Sequence, residues 1–352
     1  MNARTAAAVA VAAVAAAGPG HWRPLPPAPV AIDDGYTSVW TGSRMLVFGR
    51  VTSRATDGAV LSRRDAAASY DPGSNTWRRL PAPPASTSFM GRSSVWTGKE
   101  MLVWGQGIRE AFDPATNRWR RLPSSPLLSI HDGYGLVAWT GRELIGWGGG
   151  CGGDAFSDGV AYSPSTNRWR ALARSPLAGS QEPIGAWTGR ELIVFVGNVD
   201  PDGKPWPARF ARAAAYNPAT DTWRRIAPLP ALHGAVKAVW DGHELLVVAG
   251  AGGAAYDPAT NRWRRLAPIP SARQGAAVVW AGTRLLVWGG RPVPRGFAYD
   301  PKLDRWSRLP AAPLRGRLDP TAVWTGRTLI VWGGTTGRPP YRGFADGAVL
   351  TP

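Results

Sequence analysis

The chain is very poor in cysteine, because Cys151 is the only one in 352 residues. No intramolecular disulfide can form, so the stability of the folded protein must come from packing. A single cysteine is most often a small buried apolar residue. The sequence therefore excludes a disulfide-stapled scaffold, while a lone cysteine does not argue against export.

Long apolar runs are also lacking beyond the N-terminus. Thr5 to Ala17 is an Ala/Val run that follows Arg4 and ends in three alanines. Such a run is typical of a secretory signal, and it is too short and too weakly apolar for a transmembrane helix. We predict a signal segment over residues 1–17, no membrane span, and a secreted protein, extracellular or periplasmic, with a single domain over residues 18–352. An Ala-rich disordered N-terminus is the alternative.

Motifs for catalysis or metal binding are missing as well. The chain has four His residues and no Ser-His-Asp spacing, phosphate-binding loop or zinc motif. Asn198, Asp200, Asp202 and Gly203 resemble the start of a calcium loop, but Arg209 stands where the closing bidentate Glu is required. We therefore predict no catalytic residue, no metal and no cofactor.

What the chain does contain is 19 Trp, 43 Gly and 33 Pro, arranged in a repeat. In the clearest copy, from Ala255 to Gly290, three short apolar runs are separated by Gly, Pro or Asn. This pattern predicts short strands joined by turns and no helix. Copies recur from end to end, which indicates a repeat architecture.

Each repeat holds two hairpins, whose strands we letter a, b, c and d. On c an aromatic residue stands seven positions before a Trp on d, with Asp-Pro or a similar pair between them, which is typical of a tight turn. The c aromatics are Tyr70, Phe112, Tyr162, Tyr216, Tyr256 and Tyr299, and the d tryptophans are Trp22, Trp77, Trp119, Trp169, Trp223, Trp263 and Trp306.

The a–b hairpin has a Trp on a, usually Thr-Gly in the turn, an apolar strand b and often Gly-Gly after it. The a tryptophans are Trp40, Trp96, Trp139, Trp187, Trp240, Trp280 and Trp324. Of the 19 tryptophans only Trp206 lies outside the repeat positions. We therefore assign the others to the packed core between repeats.

The count of hairpins predicts how the ends meet. Seven a–b hairpins but only six complete c–d hairpins are present. A seventh c–d hairpin forms if Gly347 to Pro352 is strand c of the last repeat and His21 to Pro26 is its strand d. Pairing the two ends removes an open sheet edge. We predict an all-β, seven-bladed β-propeller of four-stranded antiparallel blades, closed by the N-terminal strand.

These motifs carry a family resemblance. Gly-Gly after an apolar strand, then Tyr and Trp seven apart, at a repeat spacing of about 40–55 residues, resembles the kelch repeat. The resemblance covers the chain after the signal-like segment and implies a galactose oxidase-like, kelch-type propeller of the secreted bacterial type. Gly49-Arg50 and Gly105-Gln106 depart from the Gly-Gly pattern.

The connections predict which face binds. The a–b and c–d turns are short and alike, whereas the b–c connections vary greatly in length. Because variable loops on a rigid frame carry recognition, we predict binding on the face formed by the b–c and d–a connections. The candidate ligand-binding residues there are Asp33, Asp34, Tyr36, His131, Asp132, Tyr134, Gln181, Glu182, Trp206, His233, Arg273, Gln274, Arg317 and Asp319.

Each member of this set also has a simpler interpretation. A single polar residue at a strand end more often caps the strand in water. Trp206, flanked by prolines, either stacks on a sugar or anchors a protein partner, or folds back over a neighbouring blade.

Charge suggests a second surface. The formal net charge is +17, and arginines concentrate on strand d, the outer edge of each blade. They are Arg78, Arg79, Arg118, Arg120, Arg121, Arg168, Arg170, Arg224, Arg225, Arg262, Arg264, Arg265, Arg305 and Arg308. We favour edge protection with cation–π contacts over binding of an anionic polymer, because a belt around a disc offers no single groove.

The leading functional hypothesis is a secreted, monomeric binding module for a glycan or a protein, with nucleic acid disfavoured. One alternative is a sugar-modifying enzyme similar to kelch-type sialic acid mutarotases, which would use Glu182, His131, Arg273 and Arg317. The other is an anionic-surface binder that uses the arginine rim. The family's copper oxidases use two His, two Tyr and a Cys–Tyr crosslink. His131, His233 and Cys151 make too thin a ligand set, so copper chemistry is disfavoured.

Overall fold

The protein is described from a computed structural model. It covers residues 20–55, 60–84, 92–105, 107–127, 134–150, 154–196, 212–230, 232, 236–250, 252–271, 274–291, 295–337 and 342–352. The signal-like residues 1–17, Cys151 and the calcium-like segment from Asn198 to Gly203 lie outside these ranges, so the predictions made for them stay predictions.

The described chain consists of short β-strands joined by turns and loops. In order they are β1 (His21–Pro24), β2 (Asp34–Trp40), β3 (Met45–Arg54), β4 (Val60–Asp71), β5 (Thr76–Arg79), β6 (Ser93–Trp96), β7 (Met101–Gly105), β8 (Ile108–Asp113), β9 (Arg118–Arg121), β10 (Leu136–Trp139), β11 (Leu144–Trp147), β12 (Gly159–Ser163), β13 (Arg168–Ala171), β14 (Ile184–Trp187), β15 (Leu192–Val196), β16 (Arg212–Asn217), β17 (Thr222–Arg225), β18 (Val236–Trp240), β19 (Leu245–Ala249), β20 (Gly252–Asp257), β21 (Arg262–Arg265), β22 (Gln274–Trp280), β23 (Leu285–Arg291), β24 (Gly296–Asp300), β25 (Arg305–Arg308), β26 (Thr321–Trp324), β27 (Leu329–Trp332) and β28 (Gly347–Thr351).

The strands form seven separate four-stranded antiparallel sheets, each a blade with its strands in the order a, b, c, d. Blade 1 is β2 to β5, and each later blade takes the next four strands. Blade 7 differs, because its order is β26-β27-β28-β1. Trp22 of β1 pairs with Leu350 of β28 in antiparallel register. The predicted seven-bladed propeller, closed by the N-terminal strand, is confirmed.

The first strands of the blades form the inner ring. Each contacts its two neighbours all the way round, from β2 and β6 through to β26 and β2. Hydroxyl pairs join three of them, with Thr37 Oγ1 2.7 Å from Ser94 Oγ and Ser38 Oγ 2.5 Å from Thr321 Oγ1. Strand a is therefore next to the central axis, and strand d is the outer edge.

The core lies between neighbouring blades and is made by strands b and c. Trp147, Trp288 and Trp332 on strand b are completely buried. Trp104 of blade 2 packs over Gly146 of blade 3, where a Cβ would lie 1.2 Å from the indole ring. Glycine is required there because the large side chain of one blade occupies the space that a side chain of the next would need.

The seven-residue spacing of c aromatic and d Trp has a direct structural cause. The two residues face each other across the hairpin, as Tyr162 and Trp169 do, with ring centroids 4.9 Å apart. Each d Trp also donates its indole N–H to a backbone carbonyl of the preceding blade, as Trp169 does to Pro123 at 3.0 Å. The same hydrogen bond occurs where the two ends of the chain meet. There the indole N–H of Trp22 donates to Pro310 O, and that of Trp77 donates to Pro26 O. These tryptophans therefore hold blade to blade.

In the described ranges, no helix is long and apolar enough to cross a membrane.

Candidate functional site

The up-and-down path of each blade sorts its connections onto two faces. The a–b and c–d turns lie on one face, which we call the turn face, and the b–c and d–a connections lie on the other, which we call the loop face. The predicted binding residues belong to the loop face. His131, Asp132, Trp206, His233 and Arg273 are outside the described residues, and the other nine are placed.

Blade 1 projects furthest at the loop face. Strands β3 and β4 continue as a two-stranded ribbon past the end of β2, from the Arg50–Asp65 pair out to Arg54 and Val60. On this ribbon Leu61 is 67% exposed and Val60 is 41% exposed. The ribbon thus presents apolar side chains to solvent beyond the body of the blade.

Beneath the ribbon, charged side chains are buried between blades 1 and 2. Arg92 Nη2 donates to Asp65 Oδ1 at 2.7 Å, and Arg50 Nε lies 3.8 Å from the same oxygen. All three side chains are almost fully buried. The Arg92 guanidinium also lies over the Phe48 ring at 5.0 Å. Desolvation and the neighbouring Arg92 lower the pKa of Arg50.

Glu110 on β8 belongs to the same buried group. It is 3% exposed, and its Oε2 has no hydrogen-bond partner within the described structure. Burial raises the pKa of Glu110 to about 7, and the Asp65 carboxylate adds to the rise, whereas Arg121 and Arg92 oppose it. Glu110 is therefore a carboxyl group that titrates near neutral pH inside the protein.

A second buried group lies where blades 7 and 1 meet. Arg317 is 1% exposed, and its guanidinium donates to Gly333 O at 2.8 Å and to Asp346 Oδ1 at 2.7 Å. Its Nε donates to Arg315 O at 3.0 Å. The guanidinium carbon lies over the Phe344 ring, 4.4 Å from the ring centroid. These contacts within the chain occupy the guanidinium, so Arg317 positions the loop face and does not offer a free cation.

Tyr36 connects this group to the neighbouring blades. Its hydroxyl donates to Asp319 O at 2.9 Å and accepts the Gly334 N–H. Its ring packs edge-on against Trp332, and a Cβ on Gly333 would lie 2.8 Å from the ring. Burial raises the pKa of Tyr36 above its ordinary value of 10.0. The Tyr36 hydroxyl is thus a fixed structural link.

The remaining predicted residues fall into two groups. Asp33 accepts Thr52 N–H at 2.9 Å, Asp34 Oδ2 lies 3.8 Å from Arg50 Nη1, and Asp319 N donates to Gly275 O, next to Gln274, at 2.7 Å. These residues form a continuous stretch with Tyr36 and Arg317 across blades 6, 7 and 1. Gln181, Glu182 and the 41% exposed Tyr134 lie on other blades.

The sequence prediction missed Arg50, Asp65, Arg92 and Glu110. One signal was present, because Gly49-Arg50 stands where the repeat pattern has Gly-Gly. The second glycine is replaced by an arginine, and that arginine joins the buried charged group. Asp65, Arg92 and Glu110 carried no comparable mark, since a polar residue beside a strand usually faces water.

The arginine rim is partly neutralised in four of the blades, blades 2 to 5. On strand d, Arg120, Arg170, Arg224 and Arg264 each make a two-pronged ion pair with a Glu at the end of the a–b turn, with N–O distances of 2.5–3.1 Å. Arg120 and Arg170 also donate to a tyrosine hydroxyl of the next blade. The hydrogen bonds to Glu100 and Glu143 raise the pKa values of these two arginines. These side chains therefore join blades and are not free to bind an anionic polymer.

Comparison with known proteins identifies the fold. No protein-family model matches the chain, and no curated protein matches its sequence. Among solved structures, the chain is similar to a fungal alcohol oxidase of the AA5 family in complex with copper, with a TM-score of 0.70 and 15% sequence identity. The alignment covers 95% of this chain and 77% of the oxidase. At this identity the likeness concerns the fold, a galactose oxidase-like, kelch-type propeller.

The described residues do not fit a copper site. They contain no cluster of three or more His, Cys, Asp or Glu side chains that could hold a metal ion. His21 lies on the outermost strand of blade 7, and His243 lies in an a–b turn on the opposite face from Tyr36. Copper favours imidazole and thiolate ligands that converge, and the two described histidines are far apart in the fold. His131, His233 and Cys151 lie outside the described residues, so the prediction of no metal stays a prediction.

Proposed function

We propose that the protein is a secreted binding module that recognises a glycan or a protein through its loop face. One observation carries the proposal. In the described chain, four large hydrophobic side chains are exposed, and three of them, Val60, Leu61 and Tyr134, lie on the loop face. Exposed apolar side chains on a rigid frame are typical of interaction sites.

The surroundings of the ribbon support the proposal. Arg50 and Asp65 hold the base of the ribbon inside the blade. Beside them, Arg63 Nε lies 4.0 Å from Asp34 Oδ2, so charged side chains border the ribbon. Exposed apolar side chains next to charged ones are the two components of a protein interface. The ribbon therefore favours a protein partner, and the polar stretch from Asp33 to Asp319 is the part of the face better suited to a sugar.

The sugar-modifying alternative has one observation in its favour, the carboxyl of Glu110 with a pKa of about 7. Enzymes often tune an acid or base to this range. A substrate would have to reach a side chain that is 3% exposed. We therefore prefer the binding module, and we do not extend copper-dependent oxidation to this chain.

The test uses two matched surface variants. Leu61→Asp places a charge on the ribbon, and Leu303→Asp places the same charge on a c–d turn of the other face, where the native leucine is 71% exposed. The mature chain and both variants are screened against a glycan array and a panel of extracellular proteins. We expect the ligand of the wild-type protein to be lost by Leu61→Asp and retained by Leu303→Asp. Equal binding by the two variants, or no ligand in either panel, would contradict the proposal.

Two further changes separate the alternatives. Trp206→Ala tests the predicted loop aromatic, and loss of glycan binding alone would assign the sugar site to that loop. Charge reversal at Arg118 and Arg121 tests the rim. We expect no change in the ligand bound by the wild-type protein, because the rim lies outside the proposed face.

A further inference from the structure

A cleft opens on the turn face, opposite the proposed binding face. It lies between blades 4 and 5 and has a volume of about 450 Å³. Its walls come from the a–b turns of both blades, strand d of blade 4 and the c–d turn of blade 5. The volume lies within the range of small-molecule sites in proteins, about 300–1,000 Å³.

The cleft has one aromatic wall and is otherwise largely polar. Trp240, at the end of strand a, packs partly against the core between blades 4 and 5 and leaves part of its indole on the cleft. Pro258 and Ala259 add a little apolar surface, and the other walls carry charged or hydroxyl side chains. A polar cleft with a single aromatic platform suits a saccharide, whose ring face stacks while its hydroxyls meet polar groups.

The carboxylates of the cleft are already satisfied by the chain. Glu191 accepts from Arg224 Nε at 2.9 Å and from Arg224 Nη2 at 2.6 Å. Asp257 accepts Thr260 Oγ1 and Ala259 N–H, both at 2.8 Å, and these two hydrogen bonds lower the pKa of Asp257. Neither acid therefore needs a cation from outside.

The donors of the cleft are less fully used. Arg190 and His243 hold the same position in consecutive a–b turns, and both are exposed. Within the described ranges, neither side chain makes a hydrogen bond or a close ion pair with the protein, and His243 acts on the Asp257 carboxylate only through its charge. The two side chains of the cleft that remain open to a ligand are therefore both hydrogen-bond donors, which favours a ligand with negative charge.

We propose that this cleft binds an acidic saccharide, a sugar ring that carries a carboxylate. Arg190 and His243 hold the carboxylate, and the ring lies against Trp240. The site is independent of the loop face, and no chemical step is assigned to it.

The repeat supplies a matched control. Arg142 occupies the position of Arg190 in the a–b turn of the preceding blade, within the same Thr-Gly-Arg-Glu sequence. In blade 5 the same turn reads Asp241-Gly242-His243-Glu244, so His243 stands at this position. Arg142→Ala therefore removes an equivalent surface arginine outside the cleft.

The experiment is calorimetric titration of the mature chain with trigalacturonic acid and with its methyl ester, which keeps the rings and removes the charge. We expect the acid to bind and the ester to bind at least about tenfold more weakly, because a charged hydrogen bond is worth about 1.5–3 kcal/mol. Arg190→Ala and His243→Ala should each weaken acid binding by about tenfold. Arg142→Ala and Leu61→Asp should leave it within about twofold, since neither residue lies in the cleft.

Four results would overturn the assignment. They are no binding of trigalacturonic acid, equal binding of the acid and its ester, an equal loss in Arg142→Ala, and tighter binding of hexaglutamate than of the sugar acid. The last would indicate an acidic peptide instead. Since Leu61→Asp acts on the other face, it also keeps failure of this proposal distinct from failure of the loop-face proposal.

Discussion

The turn face and the loop face are built from the same blades in different ways. On the turn face, four blades repeat an ion pair between a strand-d arginine and an a–b glutamate, as Arg170 and Glu143 do at 2.8 Å. On the loop face, the buried contacts around Arg50, Glu110 and Arg317 each occur once. Repeated contacts fit blades to one another, whereas single contacts shape one part of one surface.

The glycine pattern shows where the two regions separate. Gly333-Gly334 keeps the repeat pattern. A Cβ on Gly333 would lie 2.8 Å from the Tyr36 ring, and a Cβ on Gly334 would lie 2.9 Å from the aliphatic part of Arg317, so both glycines make room for these side chains. At Gly49-Arg50 the pattern is broken, and the strands continue into the ribbon. A departure from the repeat thus marks the blade that carries the most exposed apolar surface of the loop face.

The largest difference between the faces should appear on removal of an arginine. We expect Arg317→Met to lower the free energy of unfolding by about 3 kcal/mol or more, because the Gly333 and Arg315 carbonyls and the 58% exposed Asp346 carboxylate all lose a hydrogen-bond donor. Each buried acceptor left unpaired costs about 1–3 kcal/mol. Arg264→Met removes the repeated pair on the turn face, which is partly exposed, and should cost about 0.2–1 kcal/mol. Urea unfolding of both variants measures the difference, and equal costs would remove the contrast between the faces.

The next effect is the pH dependence of Glu110. The fold raises its pKa from the ordinary value of 4.5 to about 7, so the folded state favours the protonated form. Stability from this group is fully present below pH 4.5 and is lost as the pH rises through 7. Since each pH unit between the two pKa values is worth about 1.4 kcal/mol, Glu110→Gln should gain about 3 kcal/mol relative to wild type between pH 4 and pH 8.

Urea unfolding at these two pH values tests the pKa of Glu110. Glu182→Gln, at an exposed residue of the same face, is the control and should show no such gain. A constant difference between Glu110→Gln and wild type across this range would mean that the fold does not raise the pKa of Glu110.

The smallest expected effect is on the stability of the ribbon. Leu61 is 67% exposed, so Leu61→Asp should change the free energy of unfolding by less than about 0.5 kcal/mol. Thermal unfolding of this variant beside wild type checks the value. A larger loss would mean that Leu61 packs within the protein, and its exposure could no longer support a binding role.

Most of the fold could be predicted from the sequence, because its determinants are local and repeated. The Tyr-to-Trp spacing encodes a cross-strand pair, and the missing seventh c–d hairpin required β1 to complete blade 7. Neither step needed knowledge of distant contacts.

The candidate site could be predicted only in part. Asp33, Asp34, Tyr36 and Asp319 were found because each lies close to the start of a strand a. Their partners could not be read from the sequence, since the Tyr36–Asp319 contact joins residues 283 positions apart. Glu110 was missed for the same physical reason, because its burial results from the packing of blade 1 against blade 2 and leaves no mark in local sequence.

Hydrogen–deuterium exchange of the mature chain, with and without the ligand found by the screen, locates the binding surface. We expect slower exchange in ribbon residues 51–54 and 60–64 and in the adjoining d–a segments, with the a–b and c–d turns unchanged. Protection confined to the turns, with the ribbon unaffected, would contradict the assignment of the loop face as the binding surface.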